Sequence, residues 1–262
     1  ARWAGGVFAG PDMHDQTLRQ QFESDANPDQ EFVVLTLSAS VIATLGLLAN
    51  SSAVVIGAML IAPWMLPLRA VAFGILQGRL QLVGKAWLTL VIGISLTVLL
   101  SVLIGTGVGL PVLGSEVQAR TQPNLLDLGV ALVAGALSAY AAVHSKAISS
   151  LAGTAIAVAL VPPVCAFGLL LAKGQWNDAL GASLLFIANL LGILSGALIA
   201  LAICLPELRV NLWRNRLGLV SLLLTALLLI PLTGSFLSLM GQARRAAALQ
   251  GIQQAITASL RD

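Results

Sequence analysis

The sequence predicts an all-α fold, a polytopic transmembrane helical bundle of about seven spans. Three observations carry this. The chain is 58% hydrophobic and only 10% charged, with a mean hydropathy of +0.93, more apolar sequence than a water-facing surface tolerates. Several apolar runs reach the roughly 20 residues that a helix needs to cross a hydrocarbon core, and they lack the short alternation of a transmembrane barrel strand. Two of these runs are broken by proline: Ala53 to Pro63, and Gly153 to Pro162-Pro163. Proline removes a backbone donor and clashes with the preceding turn. Gly/Pro-interrupted segments in corresponding positions of two halves point to a transporter-like site.

Each element has its own signal. Residues 1–31 are a polar segment with six acids and no signal-peptide pattern. The chain begins at Ala1 rather than Met, which leaves room for a natural N-terminal part before it. Residues 12–26 suit a short helix with Leu18 and Phe22 on one face, lying at an interface or packed on a partner, and Pro28 ends it. The first span is 32–49. Asn50-Ser51-Ser52 makes a tight turn and caps the second span, 52–76, which Pro63 and Pro67 interrupt. The third span is 86–108. A polar loop follows, and Asp127 suits the start of the fourth span, 125–143. The fifth, 147–171, is broken at Pro162-Pro163, and the sixth is 179–205. A basic loop leads to the seventh, 217–240, and the tail places Leu249, Ile252, Ile256 and Leu260 at helical spacing.

The matches between the halves keep their order. Each broken span follows a serine pair, Ser51-Ser52 or Ser149-Ser150, and ends at a glycine turn, Gly78 or Gly174. The expected organisation is therefore a polar segment (1–31), transmembrane repeat 1 (32–110), a connecting loop (111–124), transmembrane repeat 2 (125–205), a basic loop with a seventh span (206–240) and an amphipathic tail (241–262). Three spans per unit is an odd number, so the second unit enters from the opposite face as an inverted repeat. A re-entrant hairpin at either break would change that parity.

Charge and chemistry narrow the function. The net charge of +3 comes from Lys and Arg spread through loops, without the basic stripe of a nucleic-acid binder. Counting Lys and Arg in the short loops favours a cytoplasmic N-terminus, although Arg244, Arg245 and Arg261 of the tail then fall outside. Cys165 and Cys204 lie in or beside apolar runs and imply neither a disulfide framework nor a metal site. His14 and His144 sit near polar boundaries, and the spans hold no nucleophile–base pair, carboxylate pair or metal cluster. No enzymatic activity, cofactor or metal is expected.

Arg69 lies within the second apolar run. It either snorkels to the interface or serves as an anion-binding or gating charge. Asn189, in the middle of the sixth span, favours an interhelical hydrogen bond over a substrate contact, and Gly192 and Gly196 form a small-xxx-small packing pattern beside it. Candidate contacts along a substrate path are Asn50, Ser51, Ser52, Pro63, Pro67, Arg69, Ser149, Ser150, Pro162 and Pro163.

Three stretches carry a family resemblance: Leu47 to Pro63, Ala152 to Pro163, and Gly181-Ala-Ser-Leu-Leu-Phe-Ile-Ala-Asn189-Leu-Leu-Gly192-Ile. Together they resemble the uncharacterised hydrophobic-domain family known as domain of unknown function 389, over roughly residues 30–205. The continuation Trp64-Met-Leu-Pro67-Leu-Arg69 is similar to a cyanobacterial version. The resemblance implies a multi-pass protein of a bacterial inner or thylakoid-type membrane, and no assigned chemistry. The expected function is a transporter or channel-like permease for a small solute or ion, with its path between the two broken helices. The alternative is a non-transporting membrane scaffold or assembly protein. Partners are the lipid bilayer and, through small-residue faces, other copies of the chain in a homo-oligomer.

Overall fold

The computed structural model describes residues 11–109, 113–144 and 160–206, with 219, 220, 223, 226 and 227 of the last apolar run. Among the described residues all regular structure is helical. Helix α1 (Pro11–Asp25) is the expected amphipathic element, with Leu18 and Phe22 buried. Asp29 caps α2 (Gln30–Leu48), its Oδ1 accepting the Phe32 amide at 2.8 Å. The second apolar run forms two helices, α3 (Ser52–Ile61) and α4 (Met65–Gln77), bent by 50°. Helix α5 (Leu80–Val108) and the one-turn α6 (Ser115–Gln118) complete the first half. The second half holds α7 (Leu125–His144), α8 (Val161–Ala172) and α9 (Trp176–Cys204).

Among the described residues four helices, α2, α5, α7 and α9, are long and apolar enough to cross a membrane, and the bent pair α3–α4 makes a fifth candidate. Helix α8 is the second part of the expected fifth span. The first part of that span, with Ser149 and Ser150, lies outside the described residues, as do most of the seventh span and the tail.

The breaks correct one detail. Pro63 interrupts the chain between α3 and α4, but Pro67 lies inside the first turn of α4, where amides have no intrahelical partner to lose. Pro162 and Pro163 occupy the first turn of α8 for the same reason.

The two halves share local geometry. Gly78 (φ 71°) ends α4 and Gly174 (φ 70°) follows α8, both left-handed. The Arg79 amide donates to the Gly74 carbonyl at 2.9 Å, and the Gln175 amide to the Leu170 carbonyl at 3.0 Å. Each is a Schellman turn, which satisfies the last carbonyls of a helix and reverses the chain. Each leads directly into a helix of 29 residues, α5 or α9, about 43 Å long at 1.5 Å per residue.

Contacts fix helix directions. Phe32 packs at Gly93, Ser40 meets Thr97 and Thr44 meets Ser101, so α2 and α5 run the same way. Leu128 lies at Gly192 and Leu132 at Gly196, so α7 and α9 also run the same way. Ser101 meets Gly168 and Leu169 meets Gly105, which places α8 parallel to α5. The halves interlock: α4 packs on α7 and α9, and α8 packs on α2 and α5. Helix α9 is the more central of the long pair, with 72% of its most apolar stretch buried against 33% for α5.

Candidate functional site

A cleft of about 410 Å³ opens between α3, α6, α7, α8 and α9. Ser52, Ile56 and Met59 line it from α3, Pro162 and Pro163 from the start of α8, and Leu185 and Asn189 from α9. Its charged groups are Glu116 and Arg120 at α6, and Asp127 at the start of α7, where Leu128 packs on Gly192 near the middle of α9. Arg120 pairs with Glu116 at 2.9 Å, and Asp127 Oδ2 accepts the Asn124 amide at 2.9 Å. Asn50 fixes the α6 end. Its left-handed backbone (φ 52°) turns the chain after α2, and its Oδ1 accepts from Ser115 Oγ at 3.2 Å and from the Glu116 amide at 2.9 Å. Gly114 is needed beside it, since a Cβ there would stand 2.5 Å from Asn50 Oδ1.

A second, smaller cleft of about 170 Å³ lies at the other end of α2. Pro63 and Leu66 line it together with Asp25, Asp29, Glu31, Phe32 and Leu35. Phe32 packs on Gly93, thirteen residues into α5, or about 20 Å from its start. This recess therefore reaches well along the bundle. Helix α1 closes over it. Phe22 stacks on Phe73 of α4 with ring centroids 4.2 Å apart, and Thr89 Oγ1 donates to the Ala26 carbonyl at 2.7 Å.

Helix α1 also decides the fate of Arg69. The guanidinium does not snorkel to water: the residue is 5% exposed, and its Nε donates to Asp25 Oδ2 at 2.7 Å. A buried cation requires such a counter-charge. Burial pushes the Asp25 carboxyl above the ordinary carboxylate range, while the neighbouring guanidinium pulls it back down. The partner of Arg69 lies 44 residues upstream, in the polar segment, so no local pattern within the span revealed it.

The domain of unknown function 389 family matches residues 59–195, just over half of the chain. The chain belongs to this family. An uncharacterised protein of Methanocaldococcus jannaschii is 28% identical over 175 residues, 66% of this chain and 54% of the relative. The chain thus spans about half the length of that curated relative. No solved structure matches.

The family match begins at Met59 and ends at Ser195, so it takes in Pro63, Trp64, Arg69, the second proline break and Asn189. In this family member the large cleft brings together Ser52, Pro162, Pro163 and Asn189. Pro63 belongs to the smaller cleft. Asn50 tethers α6, and Ser51 caps α3 through a long 3.5 Å bond from the Val54 amide. Pro67 and Arg69 are buried in α4, and Ser149 and Ser150 lie outside the described residues. Asn189 is 3% exposed at the inner wall of the large cleft. Gly192 and Gly196 pack against α7 within the chain. Sequence reasoning missed Glu116 and Arg120 as cleft groups, although their i,i+4 spacing was a usable signal. It also missed the acids beside Pro63.

Proposed function

We propose that this membrane protein is a permease, a transporter or channel for a small solute or ion, with a path that runs through the two clefts. The supporting observation is that Pro63 lines one recess and Pro162-Pro163 the other, each recess also carrying charged side chains, and that the recesses sit at opposite ends of α2. Broken helices leave backbone groups and dipole ends facing a cavity, which is how many secondary transporters hold their cargo. Seven spans and an inverted repeat belong to this reading. The repeat is supported by the paired Schellman turns, the equal lengths of α5 and α9, the parallel course of α8 and α5, and the reciprocal packing of each half's second helix on the other half, and the seventh span rests on the apolar run at 217–240. The reading assigns the chain no catalytic role.

The second reading is a non-transporting scaffold. It is favoured by the structural use of the acids beside Pro63, since Asp25 pairs with Arg69 and Asp29 caps α2. Reconstitution separates the two. Proteoliposomes should pass sodium, potassium, chloride or small neutral solutes, measured by isotope flux and osmotic swelling. Pro63→Ala and Pro162→Ala should each reduce that flux. Flux at the level of empty vesicles, or unchanged flux in folded proline variants, would leave the scaffold.

A further inference from the structure

The two clefts share no lining residue. On one side the smaller recess ends at Pro63 and Leu66, and on the other the larger recess ends at Met59, Leu185 and Asn189. Trp64 follows Pro63 of the smaller lining, and Phe186 follows Leu185 of the larger. They meet edge to face, with ring centroids 6.3 Å apart and planes at 81°. Trp64 is 1% exposed and stands in the break itself, between Pro63 and the first turn of α4.

Its level in the bundle is defined by the long helices. The indole rests on Gly93, where a Cβ would lie 3.1 Å from Nε1. Gly93 is one residue from the midpoint of α5. Asn189, one turn beyond Phe186, is one residue from the midpoint of α9. The aromatic pair therefore stands at half-height, where the recesses from the two ends approach each other. One polar contact steadies the indole: Nε1–H donates to Thr36 Oγ1 at 3.3 Å, beyond the usual range for such a bond.

We infer that Trp64, backed by Phe186, is the gate of the path: a hydrophobic partition that keeps the two recesses apart and opens when the indole leaves Thr36. This rests on the permease reading. An aromatic constriction stops water and ions by excluding them from a narrow apolar gap. The indole is held mainly by packing and one long bond, at a chain break where helix hydrogen bonds do not constrain it. Proline on one side and the bend on the other let it swing without unwinding α4. Gly93 supplies the missing volume that seats it when closed.

The test reads water access from each face and needs no knowledge of the cargo. Cys165 and Cys204, the chain's two cysteines, are replaced by Ala and Ser, and Met59→Cys places a thiol at the end of the larger cleft. A membrane-impermeant maleimide is applied to oriented vesicles from either face. With Trp64 intact, labelling should occur from the α6 face only. With Trp64→Ala it should also occur from the α1 face, at the rate seen from α6. Phe186→Ala and the milder Trp64→Phe, which loses the Thr36 bond and keeps a ring, guard against misfolding and should give intermediate access from the α1 face. One-sided labelling in all three variants would overturn the gate and leave the larger cleft standing as a water-filled vestibule. Labelling from both faces with Trp64 intact would also overturn the gate. No labelling from either face would remove the aqueous cleft, and the permease reading with it. Two-sided labelling in Trp64→Ala, with one-sided labelling and no solute flux while Trp64 is intact, would uphold the partition and sink transport alone.

Discussion

The α2–α5 seam and the α7–α9 seam each join two parallel long helices, by different means. Between α7 and α9 the contact is made of absent side chains. A Cβ at Gly135 would collide with the Ile193 carbonyl oxygen, and one at Gly196 with the Leu132 carbonyl oxygen. Backbone therefore lies against backbone. Between α2 and α5 the contact is made of hydroxyls: Ser40 to Thr97 at 2.7 Å and Thr44 to Ser101 at 2.8 Å, all buried. Within lipid, helices gain little from hydrophobic burial against one another, so close packing and interhelical hydrogen bonds must hold them. The closest contacts of each seam follow a different one of these two routes.

The difference has a mechanical meaning. A glycine seam has one fitted position, because any slide drives side chains into carbonyls. A hydroxyl seam has, at one helix position, more than one arrangement of its protons. Ser40 Oγ lies 2.6 Å from the Thr36 carbonyl, and Thr97 Oγ1 lies 2.9 Å from the Gly93 carbonyl. Each hydroxyl carries one proton. When Ser40 donates to Thr97, Thr97 donates to Gly93; when Thr97 donates to Ser40, Ser40 donates to Thr36. Both arrangements are satisfied. The gate residue Trp64 touches this seam at Thr36 and Gly93, and meets α9 through Phe186.

Substitutions along the two seams should rank accordingly. Gly196→Val should have the largest effect, a loss of about 3 kcal/mol or more, since an overpacked contact with backbone has nowhere to relax. Thermal unfolding in detergent measures it, and a loss no larger than that of a lipid-facing substitution would break the distinction between the seams. Ser40→Ala should cost about 1 kcal/mol, the ordinary net worth of a hydrogen bond. In a double-mutant cycle with Thr97→Ala the coupling should be about 0.6 kcal/mol, as is typical inside membranes. A much larger coupling would show a rigid seam like the other. Gly84→Ala should be the smallest change and of opposite sign. A Cβ there meets nothing within 4 Å, so α5 should gain about 0.5 kcal/mol from the reduced freedom of the unfolded chain.

The sequence carried these features unequally. Gly192 and Gly196 show their spacing, but their partners on α7 are known only once α7 and α9 are laid side by side. The break at Pro63 and the glycine turns at 78 and 174 were legible, because proline and left-handed glycine act through local backbone geometry. The face of α1 was legible through Leu18 and Phe22. Helix α6, a single turn inside a polar loop, left no periodic trace. The clefts were illegible for a different reason: each gathers side chains from helices far apart in the chain, such as Ser52, Arg120 and Pro163. Trp64 reads in sequence as one more apolar residue after a proline. Its role depends on Gly93, Thr36 and Phe186, which no local pattern joins to it.

The length of α5 and α9 has a consequence of its own. At about 43 Å each, both exceed a hydrocarbon core of about 30 Å. Such helices adapt by tilting or by thickening the lipid around them, and the adaptation follows acyl-chain length. Since Trp64 leans on the middle of one and Phe186 projects from near the middle of the other, a common tilt shears the aromatic pair. Bilayer thickness is thereby a mechanical input to the centre of the molecule, which would act without any ligand.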